Sequence, residues 1–200
     1  MTLPKLPRPP FAQMVDARLK SAEFRGPLIE HPSTPAVLQL VGYPALPLTI
    51  APGVLFKIAG GKGGTRPVLT PRQLQILPEL LDEAAAIFRY KDGLRVLTKA
   101  MDAAKNPIFV CVRDNRIDGS RKVNMITTAF GKADATSWAA SELDNLLYVG
   151  PKSNPQLPLP GLIYHQTGAP LVEGTGRILL CDSDLGKFKA EQRAKNFAGV

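Results

Sequence analysis

Hydrophobic residues in this chain follow a helical period in one segment and a strand period in the next. The helical segment is a row of leucines on one face: Leu74, Leu77 and Leu81. It begins at Thr70-Pro71-Arg72-Gln73, a capping box in which the Thr70 hydroxyl and the Gln73 side chain each bond the other's backbone amide. Pro78 lacks an amide hydrogen and crowds the preceding turn, so we expect a kink or two abutting helices.

Three strand segments follow this helix, at residues 94–98, 108–112 and 123–130. The middle segment is apolar at every position, which is typical of a strand covered on both faces. Because the links between the segments are short, we predict an antiparallel meander over residues 93–130 with 108–112 at its centre. The leucine face of the helix is expected to pack on this sheet.

The segments on either side of this centre are rich in proline or in basic residues. Prolines recur between residues 26 and 51, which predicts a wrapped segment with at most one short helix, at 34–41, capped by Thr34. Residues 54–58 fit either a short strand or a helical turn. The remaining elements are expected to be an amphipathic helix at 11–20, a helix from Thr136 or Ser137, an edge strand at Tyr148-Val149, a last strand at 177–181 and a basic helix or tail at 187–195.

These elements predict an α+β fold: a small antiparallel sheet of about four strands packed against one or two helices, with a proline-rich N-terminal wrap and basic terminal arms. A length of 200 residues with 44% hydrophobic content is enough for one core. We divide the chain into a proline-rich basic arm with a short helix at 1–25, an α+β domain at 26–185 and a basic tail at 186–200.

The charge balance indicates the class of partner. With 25 basic and 17 acidic residues the formal net charge is +8, which favours a polyanion, nucleic acid first and an anionic surface second. The alternative is a basic surface with no partner. The apolar runs are far shorter than the ~20 residues of a membrane span. Prolines interrupt the N-terminus too often for a signal peptide, so we expect a soluble, non-secreted protein.

Neither the cysteines nor the histidines indicate a metal site. Cys111 and Cys181 lie in apolar runs and are expected to be buried thiols rather than a disulfide, because a single pair makes no disulfide framework. Together with His31 and His165 they give no zinc spacing, so we expect neither a metal nor a cofactor. His165 is interpreted as a structural histidine, or as the base if the protein is a metal-free ribonuclease.

Basic residues cluster before the predicted helix. Lys57, Lys62 and Arg66 lie within ten residues and would neutralise the charge on a scissile phosphate. The alternative is an ordinary solvated loop. The glycines at 60–64 do not form a Walker phosphate loop, because Lys62 is followed by Gly63 rather than by Ser or Thr.

The hydroxyl candidate lies on the last strand of the meander. Alternation puts Thr128 on the same face as Asn124, whereas Thr127 points inward with Met125. Only one of the two threonines can then face a cleft, and we select Thr128.

The order of these segments resembles the toxin-like C-terminal domains attached to phage MuF-type head proteins, which have the barnase/EndoU/colicin/RelE-like fold of metal-independent RNases. The resemblance spans residues 28–149. It is carried by short segments at 35–38, 54–57 leading to Lys62, 77–81, 87–88, 108–112, 123–132 and 146–149.

The resemblance implies a nuclease-like domain that cleaves RNA by 2′-hydroxyl attack without a metal. Lys57 and Lys62 match the basic positions before the helix, and Thr128 matches the hydroxyl on the third strand. Members often carry a histidine close after the second lysine, where this chain has Gly63-Gly64-Thr65. Either another residue is the base, or this copy has lost catalysis.

Two functions from different classes remain. One is a phage or prophage RNase-like toxin in the virion or the host cytoplasm, with Lys57, Lys62, Thr128 and His165 as catalytic residues and Arg66, Arg113, Lys122 and Lys132 as RNA contacts. The other is a non-catalytic virion protein, associated with the head or portal, that binds nucleic acid or a structural partner. A general nucleic-acid-binding module is a third interpretation.

Overall fold

The strands come mainly from the middle of the chain. A computed structural model describes residues 10–21, 25–60, 69–150, 159, 162–164 and 169–198. The strands of these residues, in chain order, are β1 (Ile29–His31), β2 (Leu48–Ile50), β3 (Ala84–Tyr90), β4 (Gly93–Met101), β5 (Pro107–Asp118), β6 (Arg121–Gly131), β7 (Leu146–Val149), β8 (Leu162–Tyr164), β9 (Pro170–Val172) and β10 (Leu180–Cys181).

The helices are short except for the first and the last. In the same residues they are α1 (Phe11–Ser21), α2 (Ala36–Leu40), α3 (Pro52–Ile58), α4 (Pro71–Gln75), α5 (Leu77–Asp82), α6 (Ala135–Ser141) and α7 (Asp182–Ala198), with one 3-10 turn at Leu143–Asn145.

The main sheet is twice as wide as expected. The described residues form an eight-stranded mixed sheet in the order β1-β2-β6-β5-β4-β3-β7-β10, and a separate pair, β8-β9. The chain is α+β, but the prediction of a small antiparallel sheet of roughly four strands on one or two helices is wrong. Strands of two to four residues widen the sheet at both ends, and segments this short have too little periodicity to be recognised in a sequence.

The meander at the centre of the sheet is confirmed. β4 and β6 both pair antiparallel with β5, so residues 108–112 are central as predicted. β3 pairs with the other side of β4. This fourth strand was not predicted, because it starts with Ala84-Ala85-Ala86 and alanine favours helix.

The proline-rich segment contributes strands as well as a helix. β2 lies parallel to β6, and β1 pairs antiparallel with β2 at the sheet edge. The buried Asn124 of β6 ties this segment down, because its amide donates to the Thr34 hydroxyl at 2.6 Å and to the Pro44 carbonyl at 2.9 Å. The prediction that Thr34 caps α2 is wrong: Pro35 stands at the N-cap, and the Thr34 hydroxyl donates to the Leu46 carbonyl.

At the other end of the sheet, β7 lies between β3 and β10 and is not the edge strand that was predicted. The last strand, predicted at 177–181, is β10, which pairs parallel with β7. The Tyr148 hydroxyl of β7 donates to the Asp182 carboxylate at the start of α7. Burial, and then this hydrogen bond, raise the pKa of the Tyr148 phenol.

The two faces of the sheet are covered differently. One face, called the helix face below, packs against α1 to α5 and α7 in the larger core. The predicted leucine face is confirmed, since its three leucines are fully buried there: Leu74, Leu77 and Leu81. The capping box at Thr70 and the break before Pro78, which separates α4 from α5, are confirmed too. The opposite face carries the smaller core with α6, β8 and β9.

The ends of the described chain rest on the helix face. Phe11 and Val15 of α1 and Leu185 of α7 are buried in the larger core. α7 crosses the predicted boundary at residue 186, and the domain limits stay predictions. Cys111 and Cys181 form no disulfide and are half-buried rather than buried. Among the described helices, none combines the length and the apolar character needed to cross a membrane.

Candidate nucleic-acid site

The opposite face of the sheet is left partly open. Next to α6, strands β3 to β6 form the floor of an open cleft with a volume of about 320 Å³. We call it the β-face cleft and define it by six of its lining residues: Tyr90, Arg95, Cys111, Arg113, Thr127 and Thr128.

A β-bulge brings both threonines into this cleft. Cys111 pairs with Thr128 but Val112 pairs with Ile126, so Thr127 is an extra residue in β6. Side-chain alternation therefore resets at this point, and Ile126 and Ala129 both face the larger core. Thr128 lies opposite Cys111, away from the core that buries Ile126. The predictions that Thr128 shares the face of Asn124 and that only one threonine reaches a cleft are wrong.

Arg95 is the most constrained cation of the cleft. Its guanidinium carbon lies 3.6 Å from the Tyr90 ring centroid and 4.7 Å from that of Trp138 in α6. Trp138 is itself fixed by edge contacts with Phe88 and Phe109, each at 4.9 Å. Cation–π contacts of this kind contribute about 0.5–2 kcal/mol and hold the guanidinium in one orientation. Among the described residues, no carboxylate pairs with Arg95, and its buried Nε has no hydrogen-bond partner.

Arg113 supplies the second guanidinium. It lies two residues beyond Cys111 on β5, on the same side of the strand, and its Nη2 is 3.1 Å from Asp92 Oδ1 on the β3–β4 turn. The Thr127 hydroxyl donates to the Cys111 carbonyl at 3.3 Å. The cleft thus combines two arginines, two threonine hydroxyls and an aromatic ring. Such a set can bind phosphate through charge and hydrogen bonds.

Residues 61–156 match the family model of the phage MuF-C-terminal domain. This match supports a phage protein. The matched residues run from before α4 to just after β7 and include the whole β-face cleft. A search of curated proteins and a search of solved structures each find no match.

The structure separates two of the predicted catalytic residues. Lys57 is exposed on α3, whose buried side chains belong to the larger core on the helix face. Thr128 lies in the cleft on the opposite face. The two are therefore not brought together. Lys62, Arg66 and His165 fall outside the described residues, and their roles stay predictions.

The predicted RNA contacts are dispersed. Arg113 lines the cleft, whereas Lys122 is exposed on β6 near the β5–β6 turn. Lys132 follows β6 and pairs with Asp134 at 2.7 Å, which lowers the pKa of the Asp134 carboxyl. Of these three residues, the structure places one in the cleft.

Arg95 and Tyr90 were not singled out from the sequence. A signal for Arg95 was present, because alternation in the segment 94–98 puts it on the side opposite Leu94 and Val96. The orientation of the Arg95 guanidinium depends on Trp138, which is 43 positions later in the chain and contacts Arg95 only in the folded protein. No local pattern announces that contact.

A second cavity, of about 570 Å³, lies on the helix face between α2, α5 and α7. The Asp82–Lys189 ion pair, at 2.8 Å, is part of its lining. His31 also lines it, with Nδ1 at 2.6 Å from the Ser33 carbonyl oxygen, which makes this nitrogen the donor. In the described residues, no group of three or more His, Cys, Asp or Glu side chains is arranged to hold a metal ion.

Proposed function

We propose that this chain is a phage protein that binds RNA through the β-face cleft. The observation that carries the proposal is the convergence of Arg95 and Arg113 with the Thr128 hydroxyl on one open sheet face. Thr127 lies beside them, with its hydroxyl hydrogen donated to the Cys111 carbonyl. Guanidinium groups bind phosphate oxygens with two parallel hydrogen bonds, and hydroxyls add weaker contacts. The net charge of +8 favours encounter with a polyanion.

The same groups suit a cleavage reaction. In metal-independent cleavage the RNA 2′-hydroxyl attacks phosphorus and its proton goes to a base. The 5′-oxygen leaves with a proton from an acid, which produces a 2′,3′-cyclic phosphate and a 5′-hydroxyl. Arg95 and Arg113 would neutralise the charge on the pentacoordinate phosphate, and Thr128 would orient it. His165 remains the proposed base.

The second candidate is a non-catalytic virion protein that uses the cleft only to bind nucleic acid. One observation favours it: among the described residues no imidazole lines the cleft, and the Asp92 carboxylate there is paired with Arg113. A protein of this kind would hold nucleic acid in or on the phage head, next to a head or portal partner.

Salt-dependent binding tests the cleft. A fluorescein-labelled single-stranded RNA is titrated by anisotropy between about 50 and 200 mM salt with wild type, Arg95→Gln and Arg113→Gln. Each variant should flatten the slope of log K against log salt by about 0.7, the value for one phosphate contact to a single strand. Arg72→Gln, on the exposed side of α4, is the control for a lost positive charge and should leave the slope unchanged. Unchanged slopes in both cleft variants would refute the proposal.

A cleavage assay separates the two candidates. RNA is incubated with the protein in EDTA, beside the same sequence with 2′-deoxyribose throughout. Cleavage of the RNA alone, with a 2′,3′-cyclic phosphate end that Arg95→Gln abolishes, supports the RNase. Binding that depends on the cleft, without cleavage, supports the virion protein.

A further inference from the structure

The β3–β4 turn places an acidic side chain at the mouth of the β-face cleft. Tyr90 pairs with Gly93, so Lys91 and Asp92 are the two residues of a tight hairpin turn, with Lys91 at a φ of 53°. Gly93 lies directly against β5, because a β-carbon there would collide with the β5 backbone and crowd the Arg113 side chain. The backbone of the turn therefore holds Asp92 beside Arg113.

Asp92 forms an ion pair with Arg113, one of the two arginines of the cleft. The side chains of Arg113 and Asp92 are 41% and 56% exposed. An ion pair this exposed adds little to the stability of the fold, so another anion can replace the carboxylate at small cost. Arg95 pairs with no described carboxylate. Of the two arginines of the cleft, Arg113 is thus paired with a carboxylate and Arg95 is paired with none among the described residues.

We propose that Asp92 is a built-in competitor for the cleft, which a phosphate must displace before it can use Arg113 fully. The inference rests on the proposed RNA binding. A carboxylate and a phosphodiester each offer two oxygens to a guanidinium and each carry one negative charge. They therefore compete for the same donors on nearly equal terms. Asp92 weakens RNA binding by the free energy of its own contact with Arg113.

A double-mutant cycle tests this competition. RNA affinity is measured by anisotropy at low salt for wild type, Asp92→Asn, Arg113→Gln and the double variant. Asp92→Asn should bind about two- to fivefold more tightly, as expected when an exposed ion pair no longer has to be broken. With Arg113→Gln present, the gain from Asp92→Asn should disappear, because the contact is already absent.

The control removes an equal charge elsewhere. Asp16→Asn breaks the Asp16–Lys20 pair on α1, which packs on the helix face. This variant reports the effect of one lost negative charge at a distance, and its gain should be clearly smaller. Equal gains in RNA affinity from Asp92→Asn and Asp16→Asn would overturn the inference. If Arg113→Gln still weakens RNA binding in that case, the proposal that RNA binds in the cleft stands. Absent binding, or binding that Arg113→Gln leaves unchanged, would overturn both proposals.

Discussion

Replacement of Asn124 by alanine tests how the proline-rich segment is held on the sheet. The side chain is fully buried and makes three hydrogen bonds. Its amide donates to the Thr34 hydroxyl and the Pro44 carbonyl, and its oxygen accepts from the Asn115 amide at 3.3 Å. Two of these partners belong to the segment that carries α2 and leads into β2, and the third lies on β5.

The magnitude follows from these contacts. A hydrogen bond adds a net ~1 kcal/mol to stability, so the loss of all three should lower the free energy of unfolding by about 3 kcal/mol. The Thr34 hydroxyl keeps its bond to the Leu46 carbonyl, and the Pro44 carbonyl keeps the Leu46 backbone amide as a donor at 2.8 Å. Neither group is left without a partner, so no further penalty is added to this value.

Urea unfolding followed by circular dichroism measures this loss. The midpoint should fall with the slope m unchanged, because the surface exposed on unfolding is nearly the same. Asn145→Ala is the matched control: Asn145 is exposed and bonds Glu142 at 2.8 Å, so its loss should be within about 0.5 kcal/mol. If Asn124→Ala lost no more than this control, water would replace its bonds and the argument would be refuted.

Two further substitutions test the core and the strand end. Leu77→Ala should lower the free energy of unfolding by about 2–5 kcal/mol, as for other fully buried leucines. Ile117→Ala, at a residue that is 77% exposed, is the control and should be nearly neutral in the same urea assay. Equal effects of the two substitutions would mean that the leucine face is not packed. The pKa of the Tyr148 phenol is higher in the folded protein than in the unfolded chain, where it is about 10. The stability that this difference contributes is therefore fully present below about pH 10 and is lost as the pH rises through the folded pKa. Tyr148→Phe has no phenol to ionise and should flatten the fall in stability above pH 10; an unchanged alkaline profile would count against the raised pKa.

Some elements of this protein were determined by local sequence alone. The capping box at Thr70 and the break before Pro78 are fixed by contacts within a few residues. The apolar run at 108–112 takes its hydrogen bonds from β4 and β6, the strands that precede and follow it in the chain. Their structure depends little on distant partners, so the helix pair and the antiparallel meander were predictable.

The width of the sheet was decided by tertiary contacts. β1, β2 and β10 have two or three residues each and form only against a neighbouring strand: β2 against the long β6, β1 against β2, and β10 against β7. Isolated strands of this length have no stability in water. Asn124, which looked like a polar tip facing a cleft, is instead buried beneath the proline-rich segment that it holds.

The cleft also arises only in the fold. One extra residue in β6 reverses the side-chain alternation that placed Thr128, and a bulge leaves no clear mark in the sequence. Arg95 becomes a fixed cation because β3 and α6 bring the Tyr90 and Trp138 rings within cation–π distance of its guanidinium. The sequence by itself determined a basic α+β chain with a central meander; the tertiary structure decided which of its charges face the same cleft, because residues far apart in sequence become neighbours only when the sheet is assembled.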